Sequence, residues 1–382
     1  MKKNKNTRYV IRFILFIMAY AIIMVYIRLD NPQAVRRYFV QQWREAYLVR
    51  VPHQPESYVR MTSTLSPRHF ETTSEATGYG MLLLVLAQKQ HAPNVRRDFD
   101  RLYRYYLSNR IPGSTLMQWR QRDWHSQPAD SRTSASDGDV LIAHALLLAS
   151  QVWKQPHYRQ ASLKLQADIL KYEVNPTTHL LTVGNWAKPK TRYYQLLRTS
   201  DVMPYAFAAF YQVSKRPIWR QIGRAMMARL ATLSHQNHHG LIPDFAWATR
   251  KDTFPVIGKT VATRYDGAYY YNACRIPLNL AGYPSKAAFA INLKLLDFFK
   301  KTRYIGAGYY LSGQAIHHYQ SASFDAPIFL AVSKLPAAAK SAHSILFTRE
   351  QYVFAGNLPT QNYYDATLTV MALLFQVGEQ NY

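Results

Sequence analysis

Three acidic residues lie at the starts of apolar segments, where a carboxylate can either cap a helix or take part in catalysis. Asp137 and Asp139 open SASDGDVLIAHALLLASQVW (134–153), and Glu75 lies in TTSEATGYGM (72–81). Side-chain oxygens at such positions cap helices by accepting hydrogen bonds from free backbone N–H groups. The same N–H groups and the helix dipole stabilise a carboxylate as the anion. Asp137 therefore suits both capping and the stabilisation of a cationic transition state, whereas Asp139 suits a structural role in the first turn.

Glu75 also has two interpretations. Thr72 and Glu75 have the spacing of a capping box, in which the two side chains satisfy each other's backbone N–H groups. Alternatively, Glu75 precedes a strongly apolar helix and has Tyr79 one turn away. Partial burial there would raise the pKa of the Glu75 carboxyl group, as a proton donor requires.

The segments that must position these acids are helical. From residue 70 onward, about ten segments, and up to about twelve with weaker ones, space their apolar residues by three and four. The segments between them are rich in Gly, Pro, Trp, Tyr and Asp, and nothing marks a second domain boundary. This repetition of paired helices predicts an all-α fold, an (α/α)6 barrel, in which the loops at one end line a cleft.

Composition restricts the class of protein. The 382 residues include 47 Lys and Arg against 22 Asp and Glu, a formal net charge of +25. Such a chain attracts nucleic acid, acidic membrane or anionic polymers. Because the charge is dispersed and zinc-finger spacing is absent from the sequence, we do not expect a nucleic-acid partner. The single cysteine, Cys274, excludes an internal disulfide framework.

The N-terminus is predicted to be a membrane anchor. Lys2, Lys3, Lys5 and Arg8 precede an apolar stretch, Tyr9–Ile27, long enough to cross roughly 28 Å as a helix. The positive flank should stay inside the cell. A cleaved signal peptide is the alternative, although no clear cleavage site follows. We expect a cytoplasmic tail (1–8), a single-pass signal anchor (9–28), a basic stalk (29–60) and an extracellular catalytic domain (61–382).

The opening motif resembles the signature of glycoside hydrolase family 8. Its restricted positions are filled by Ala135-Ser136-Asp137-Gly138-Asp139, Ile142-Ala143, Ala145-Leu146-Leu147, Ala149 and Trp153. The segments 72–81, 199–207, 240–247 and 363–374 resemble other parts of the family. The resemblance implies an (α/α)6 barrel that hydrolyses β-1,4-linked glycans with inversion. It also implies that Glu75 is the general acid and that Asp137 holds the sugar at the cleavage point.

One position departs from the family pattern. An inverting enzyme needs a second carboxylate, roughly 6.5–9.5 Å from the acid, to activate water. The segment YYNACRIPL (270–278) resembles the family segment that carries this base, but Asn272 stands at the position of the aspartate. Asp266, in the preceding loop, is the replacement that we predict, and a turn residue paired with Arg264 is its alternative role. Asp252 is the next candidate.

The resemblance also assigns substrate-binding residues. Trp119, Tyr205, Tyr271, Asn272 and Arg275 are expected to bind the glycan, whereas Trp124 is expected to be a core aromatic residue. We expect no cofactor or metal, a monomer, and a polysaccharide substrate such as a β-glucan or exopolysaccharide. The alternative is a glycan-binding or polysaccharide-biosynthesis accessory protein of the same fold with weakened catalysis.

Overall fold

The helices alternate between an inner and an outer ring. The computed structural model describes residues 3–30, 32–62, 71–122, 132–354 and 356–377, so Trp124 lies outside the described residues. In chain order the helices are α1 (Lys3–Asp30), α2 (Pro32–Tyr47), α3 (Ser74–Gln88), α4 (Val95–Ser108), α5 (Ser136–Val152), α6 (Pro156–Tyr172), α7 (Pro204–Ser214), α8 (Ile218–His235), α9 (Ile276–Leu280), α10 (Lys286–Phe299), α11 (Ala322–Ser333), α12 (Ala337–Ala342), α13 (Ser344–Gln351) and α14 (Tyr363–Val377). Helices α3, α5, α7, α9, α11 and α14 form the inner ring, which closes where α14 packs against α3. The predicted (α/α)6 barrel is confirmed.

The sequence of each helix decides its ring. In α3 and α5, apolar and small residues occupy every side, and almost every residue is buried. In α4 the buried apolar residues recur with helical spacing, at Val95, Phe99, Leu102 and Tyr106, and charged residues cover the other side. Such an amphipathic helix can bury only one face, so α4 packs on the outside of the inner ring.

Short antiparallel strands lie in the loops that lead into the inner helices. They are β1 (Leu48–Arg50), β2 (Ser57–Val59), β3 (Glu71–Thr73), β4 (Arg120–Arg122), β5 (Val174–Asn175), β6 (Leu180–Leu181), β7 (Leu196–Arg198), β8 (Phe245–Ala248) and β9 (Thr253–Pro255). Pairing joins β1 to β2, β3 to β4, β5 to β6, and β7, β8 and β9 in that order. These ladders stiffen the loops at one end of the barrel, where the inner helices begin.

The predicted stalk is corrected by the position of α2. Val35, Phe39, Val40 and Trp43 lie on one face of this helix and are buried in the main core. The Trp43 Nε1 donates to Thr367 Oγ1 of α14 at 2.9 Å. The arginines of residues 29–60 suggested a solvated linker, but the apolar residues between them have the spacing of a helix face. Helix α2 is therefore the first outer helix, and the folded domain begins near residue 32.

Helix α1 stands apart from this core. Its segment Thr7–Met24 has a mean hydropathy of 1.7, and none of it is buried against the rest of the chain. An apolar surface of this length is adequate for a bilayer crossing. A signal sequence near the N-terminus has the same length and composition, so the segment fits either role.

Replacing Trp43 by alanine is expected to destabilise the domain strongly. Loss of a large buried aromatic side chain typically lowers the free energy of unfolding by about 3–5 kcal/mol. Denaturant unfolding of the full chain in detergent would measure it. Gln41→Ala, on the exposed side of the same helix, is the matched control, and equal effects of the two substitutions would contradict the assignment of α2 to the core.

Candidate active site

The inner helices begin around one group of charged side chains. Glu75 is the second residue of α3, Asp137 is the second residue of α5, and Arg275 directly precedes α9. Arg275 Nη1 lies 2.9 Å from Glu75 Oε1 and 3.2 Å from Asp137 Oδ2. Arg198, at the end of β7, lies 2.5 Å from Asp137 Oδ1. We call Glu75, Asp137, Arg198 and Arg275 the carboxylate–arginine cluster.

Glu75 is free of a capping role. Thr73, not Thr72, caps α3, and its Oγ1 accepts from the Ala76 N–H at 3.1 Å. The capping box between Thr72 and Glu75 is thus replaced by a bond between Glu75 and Arg275. Burial raises the pKa of the Glu75 carboxyl group, Arg275 opposes this shift and Asp137 adds to it. The Glu75 side chain remains 20% exposed, so a proton on it can reach a ligand.

Asp137 has the opposite electrostatic character. Its burial would raise the pKa, but Arg198 and Arg275 outweigh that effect and lower the pKa to about 2. The Gly138 N–H also donates to Asp137 Oδ1 at 3.0 Å. Ala135 is the N-cap of α5 and provides no side-chain cap. Asp137 is therefore a buried anion in the first turn of the helix, next to a proton-binding glutamate.

Asp139 belongs to a second buried acidic group behind the cluster. Its Oδ1 accepts from the Met117 N–H at 2.8 Å. Burial and the neighbouring Glu173 raise the pKa of Asp139 well above its usual value. Burial also raises the pKa of Glu173 to about 7, while hydrogen bonds from Ser134 and Asp139 oppose this rise. These contacts tie α5 to the segments on either side of it and agree with a structural role for Asp139.

Asn272 is held by charged neighbours on both sides of its amide. Its Nδ2 donates to Asp244 Oδ2 at 3.2 Å, and its Oδ1 accepts from Arg275 Nη2 at 2.9 Å. Asp244 also accepts from the backbone N–H groups of Tyr270, Asn272 and Ala273. Burial raises the pKa of Asp244 to about 7, against the effect of these hydrogen bonds. Asn272 therefore has a fixed orientation at the edge of the cluster.

Asp266 lies in a different environment from the one expected of a base. It is 1% exposed. Its Oδ2 accepts from the N–H groups of Thr260, Val261 and Ala262, and its Oδ1 accepts from that of Thr263. These four bonds account for a role in folding the 260–266 loop. The alternative partner, Arg264, instead donates to the Tyr265 hydroxyl.

The predicted aromatic residues occupy different depths. Trp119 is half-buried next to the start of α3, where its carbonyl accepts from the Ser74 N–H at 3.0 Å. Tyr271 is half-buried among Phe324, Tyr364 and Tyr319, whose hydroxyl lies 3.3 Å from its own. Contact of these two residues with a sugar stays a prediction from the sequence.

Tyr205 lies deeper in the barrel. Its hydroxyl donates to the Ala281 carbonyl at 3.0 Å, and its ring packs edge-on against Tyr283. Together with Tyr79 and His144, Tyr205 lines a small internal cavity of about 40 Å³. Its hydroxyl is held by the backbone of residue 281, and its contact with substrate stays a prediction from the sequence.

Three residues of the site were not assigned roles from the sequence. Arg198 directly precedes the segment 199–207, Ser200 lies within it, and Asp244 lies in GLIPDFAW (240–247); both segments resemble parts of the family. Ser200 Oγ accepts from Arg275 Nη2 at 2.7 Å. Arg198 was not distinguished from the many other arginines of the chain, because sequence position alone does not separate an arginine of the site from a surface charge.

Comparison with known proteins identifies the family. The model of glycosyl hydrolases family 8 matches residues 16–378. A β-glucanase of Niallia circulans is 31% identical over 245 residues, which are 63% of this chain and 58% of that protein. Endoglucanase A of Acetivibrio thermocellus is 25% identical over 91% of this chain and 71% of its own.

Solved structures agree with this result. The β-1,3-1,4-glucanase of Paenibacillus sp. X4 has a TM-score of 0.79 and 24% identity, with 91% of each chain covered. Rex8A of Paenibacillus barcinonensis, solved with xylose, has a TM-score of 0.71 and 18% identity over 92% of this chain and 94% of its own. The chain therefore belongs to glycosyl hydrolases family 8 and is a glycoside hydrolase.

Proposed function

We propose that this enzyme cleaves β-1,4-type bonds inside an extracellular polysaccharide by an inverting mechanism. The observation that carries the proposal is the pair formed by Glu75 and Asp137, whose pKa values are shifted in opposite directions around one arginine. Two carboxyl groups with separated pKa values are suited to different steps of glycoside hydrolysis. The relatives named β-glucanase and endoglucanase support an internal bond of a β-glucan as the target.

Glu75 is the general acid in this mechanism. Its raised pKa keeps a proton on the carboxyl group at pH values where an exposed glutamate is ionised. The proton passes to the glycosidic oxygen as the bond to the leaving sugar breaks. Asp137 remains an anion and stabilises the positive charge that develops at the anomeric carbon.

The mechanism also needs a base that accepts a proton from the attacking water. Asn272 cannot accept a proton from water at useful pH, but its fixed amide can hold the water. Asp266 stays a prediction from the sequence, and its hydrogen bonds favour a structural role. Asp244, whose pKa is about 7, lies directly behind Asn272 and is a second candidate for the proton acceptor.

The net charge of the chain and helix α1 support the proposed substrate and location. A protein of net charge +25 repels a cationic polymer such as chitosan at long range, so we favour a neutral or anionic glycan. The apolar segment Thr7–Met24 and the basic residues before it support a single-pass anchor with the domain outside the cell. A cleaved segment would instead release the same domain.

Glu75→Gln is expected to lower kcat by about 10²–10⁴-fold, since glutamine cannot donate the proton. Release of reducing ends from β-glucan, xylan and chitosan would measure it. Glu71→Gln is the matched control, because Glu71 is a nearby carboxylate that pairs with Arg120 at 3.7 Å. The alternative, motivated by Asn272, is an accessory protein that binds glycan without cleaving it. It would replace the enzyme proposal if wild type and Glu75→Gln both bind glycan but release no reducing ends.

Asn272→Asp is expected to raise kcat by about tenfold or more, because it installs a carboxylate where the water is held. The same reducing-end assay measures this change. Unchanged or lower turnover would indicate that another group already acts as an effective base.

Asp266→Asn separates the two roles of Asp266. A structural role predicts a lower melting temperature with turnover retained in the folded enzyme, because asparagine cannot accept the four N–H bonds equally well. Thermal unfolding and kcat would be measured on the same sample. Loss of turnover by 10²-fold or more with unchanged stability would instead establish Asp266 as the base.

A further inference from the structure

The direction of α2 determines which end of the barrel is nearest to α1. Helix α2 runs antiparallel to α14: Arg36 Nε donates to the Leu373 carbonyl at 3.0 Å, and the Tyr47 hydroxyl donates to the Thr360 carbonyl at 2.5 Å. Helix α14 begins at the cleft, where the Tyr364 hydroxyl donates to the Tyr271 carbonyl. The first residue of α2, Pro32, therefore lies at the opposite end, which we call the basal end.

Three loops of the inner helices lie at the basal end. They are residues 89–94, 153–155 and 215–217, which connect the ends of α3, α5 and α7 to the next outer helices. Direct contacts hold them together: Trp153 Nε1 donates to Gln88 Oε1 at 3.2 Å, and Arg159 Nη2 donates to the Val213 carbonyl at 3.3 Å. The loops thus lie at the same end of the barrel.

This surface is strongly basic. The three loops and the first turns that follow them are all within the described residues, and they contain one acidic residue, Asp98. The Asp98 side chain is buried and paired with Arg44. Exposed basic residues are spread over these loops and turns, and six of them, which we call the basal patch, are Lys89, Arg97, Lys154, Arg159, Arg216 and Arg220.

The patch extends along the barrel wall to the helix that follows the anchor. A groove of about 690 Å³ separates α2 from the start of α4. Arg37 of α2 and Arg97 of the basal patch line the groove and are exposed. Positive charge is therefore continuous from the basal loops to the point where the chain leaves the barrel toward α1.

We propose that the basal patch docks on the anionic lipid headgroups of the membrane that holds α1. This inference rests on the proposed anchor. Each Lys or Arg near an anionic surface strengthens association by a factor of about five. Because one residue separates α1 from α2, the tether keeps the patch close to the bilayer, and modest attraction is then sufficient.

Lipid is the favoured partner because the anchor leaves the barrel at this end. A wall polymer could reach any face of the domain, whereas the bilayer is adjacent to the basal end alone. Docking would fix the orientation of the barrel, with the cleft opening away from the membrane. The inner helices of 15 and 17 residues would then hold the cleft about 25 Å above the lipid surface.

The test uses the full chain in nanodiscs of phosphatidylcholine, with or without phosphatidylglycerol. A donor dye is attached at Gln151→Cys near the basal end or at Ala262→Cys in the cleft-end loops; both sites are exposed. Because Cys274 is buried, only the introduced thiol is labelled. Energy transfer to a headgroup acceptor reports the distance of each site from the lipid surface.

We expect greater transfer from position 151 than from position 262, and an increase at position 151 when phosphatidylglycerol is present. Raising salt from about 0.1 M to about 1 M shortens the screening length from about 10 Å to about 3 Å and should abolish that increase. The combined change Lys89→Glu, Arg97→Glu, Lys154→Glu and Arg216→Glu should lower the docking constant by more than about tenfold. The matched control reverses the same number of charges at the exposed cleft-end residues Lys188, Lys190, Lys251 and Lys259.

Two results would overturn the proposal. The first is energy transfer from position 151 that changes neither with phosphatidylglycerol nor with salt in the chain without charge substitutions. This comparison does not depend on the folding of any charge variant. The second is an equal loss of docking in the basal and control variants. Response to an added anionic polymer but not to anionic lipid would identify the polymer as the partner instead. Failure of the chain to stay with the nanodisc would refute the anchor itself, and hydrolysis is measured separately.

Discussion

The buried guanidinium of Arg275 is the group on which the site and the closure of the inner ring both depend. Arg275 is 1% exposed and bonds to Glu75 of α3, Asp137 of α5, Ser200 before α7 and Asn272. A buried cation without partners is strongly unfavourable, so these bonds compensate for its lost hydration. The carboxylates that compensate for the buried charge of Arg275 lie in the first turns of α3 and α5. The same two carboxylates are the proposed catalytic groups.

Sharing of one arginine also explains how neighbouring carboxyl groups differ. Glu75 bonds to Arg275, and burial is the largest effect on the pKa of its carboxyl group. Asp137 contacts Arg275 and Arg198, and the second cation shifts the balance toward the anion. Arg198 is the largest of the effects that lower the pKa of Asp137, so it contributes most to the difference between the two carboxyl groups. Specific placement of two cations, rather than the net charge of the chain, prepares this site.

Helical spacing and short motifs were sufficient to predict the barrel, because inner and outer helices bury different shares of their surface. Glu75 and Asp137 could be singled out because both stand where a polar loop becomes an apolar helix, but their proposed roles came from the resemblance to the family. The environment of Asp266 was not predictable, because its four partners are backbone N–H groups, which every residue carries. The stalk prediction for residues 29–60 gave arginine more weight than the apolar face of α2.

The paired acids Asp139 and Glu173 have a consequence for the conditions under which this fold persists. A carboxyl group with a raised pKa stabilises the folded state at low pH, and that contribution is lost as the pH rises through the folded-state value. For Glu173, and likewise for Asp244, the loss falls between the ordinary carboxyl range and about pH 7. Asp137 acts in the other direction, since its contribution is lost only as the pH falls toward about 2. The buried acids with raised pKa values therefore favour the folded state most below about pH 7, whereas Asp137 favours it at all but the lowest pH values.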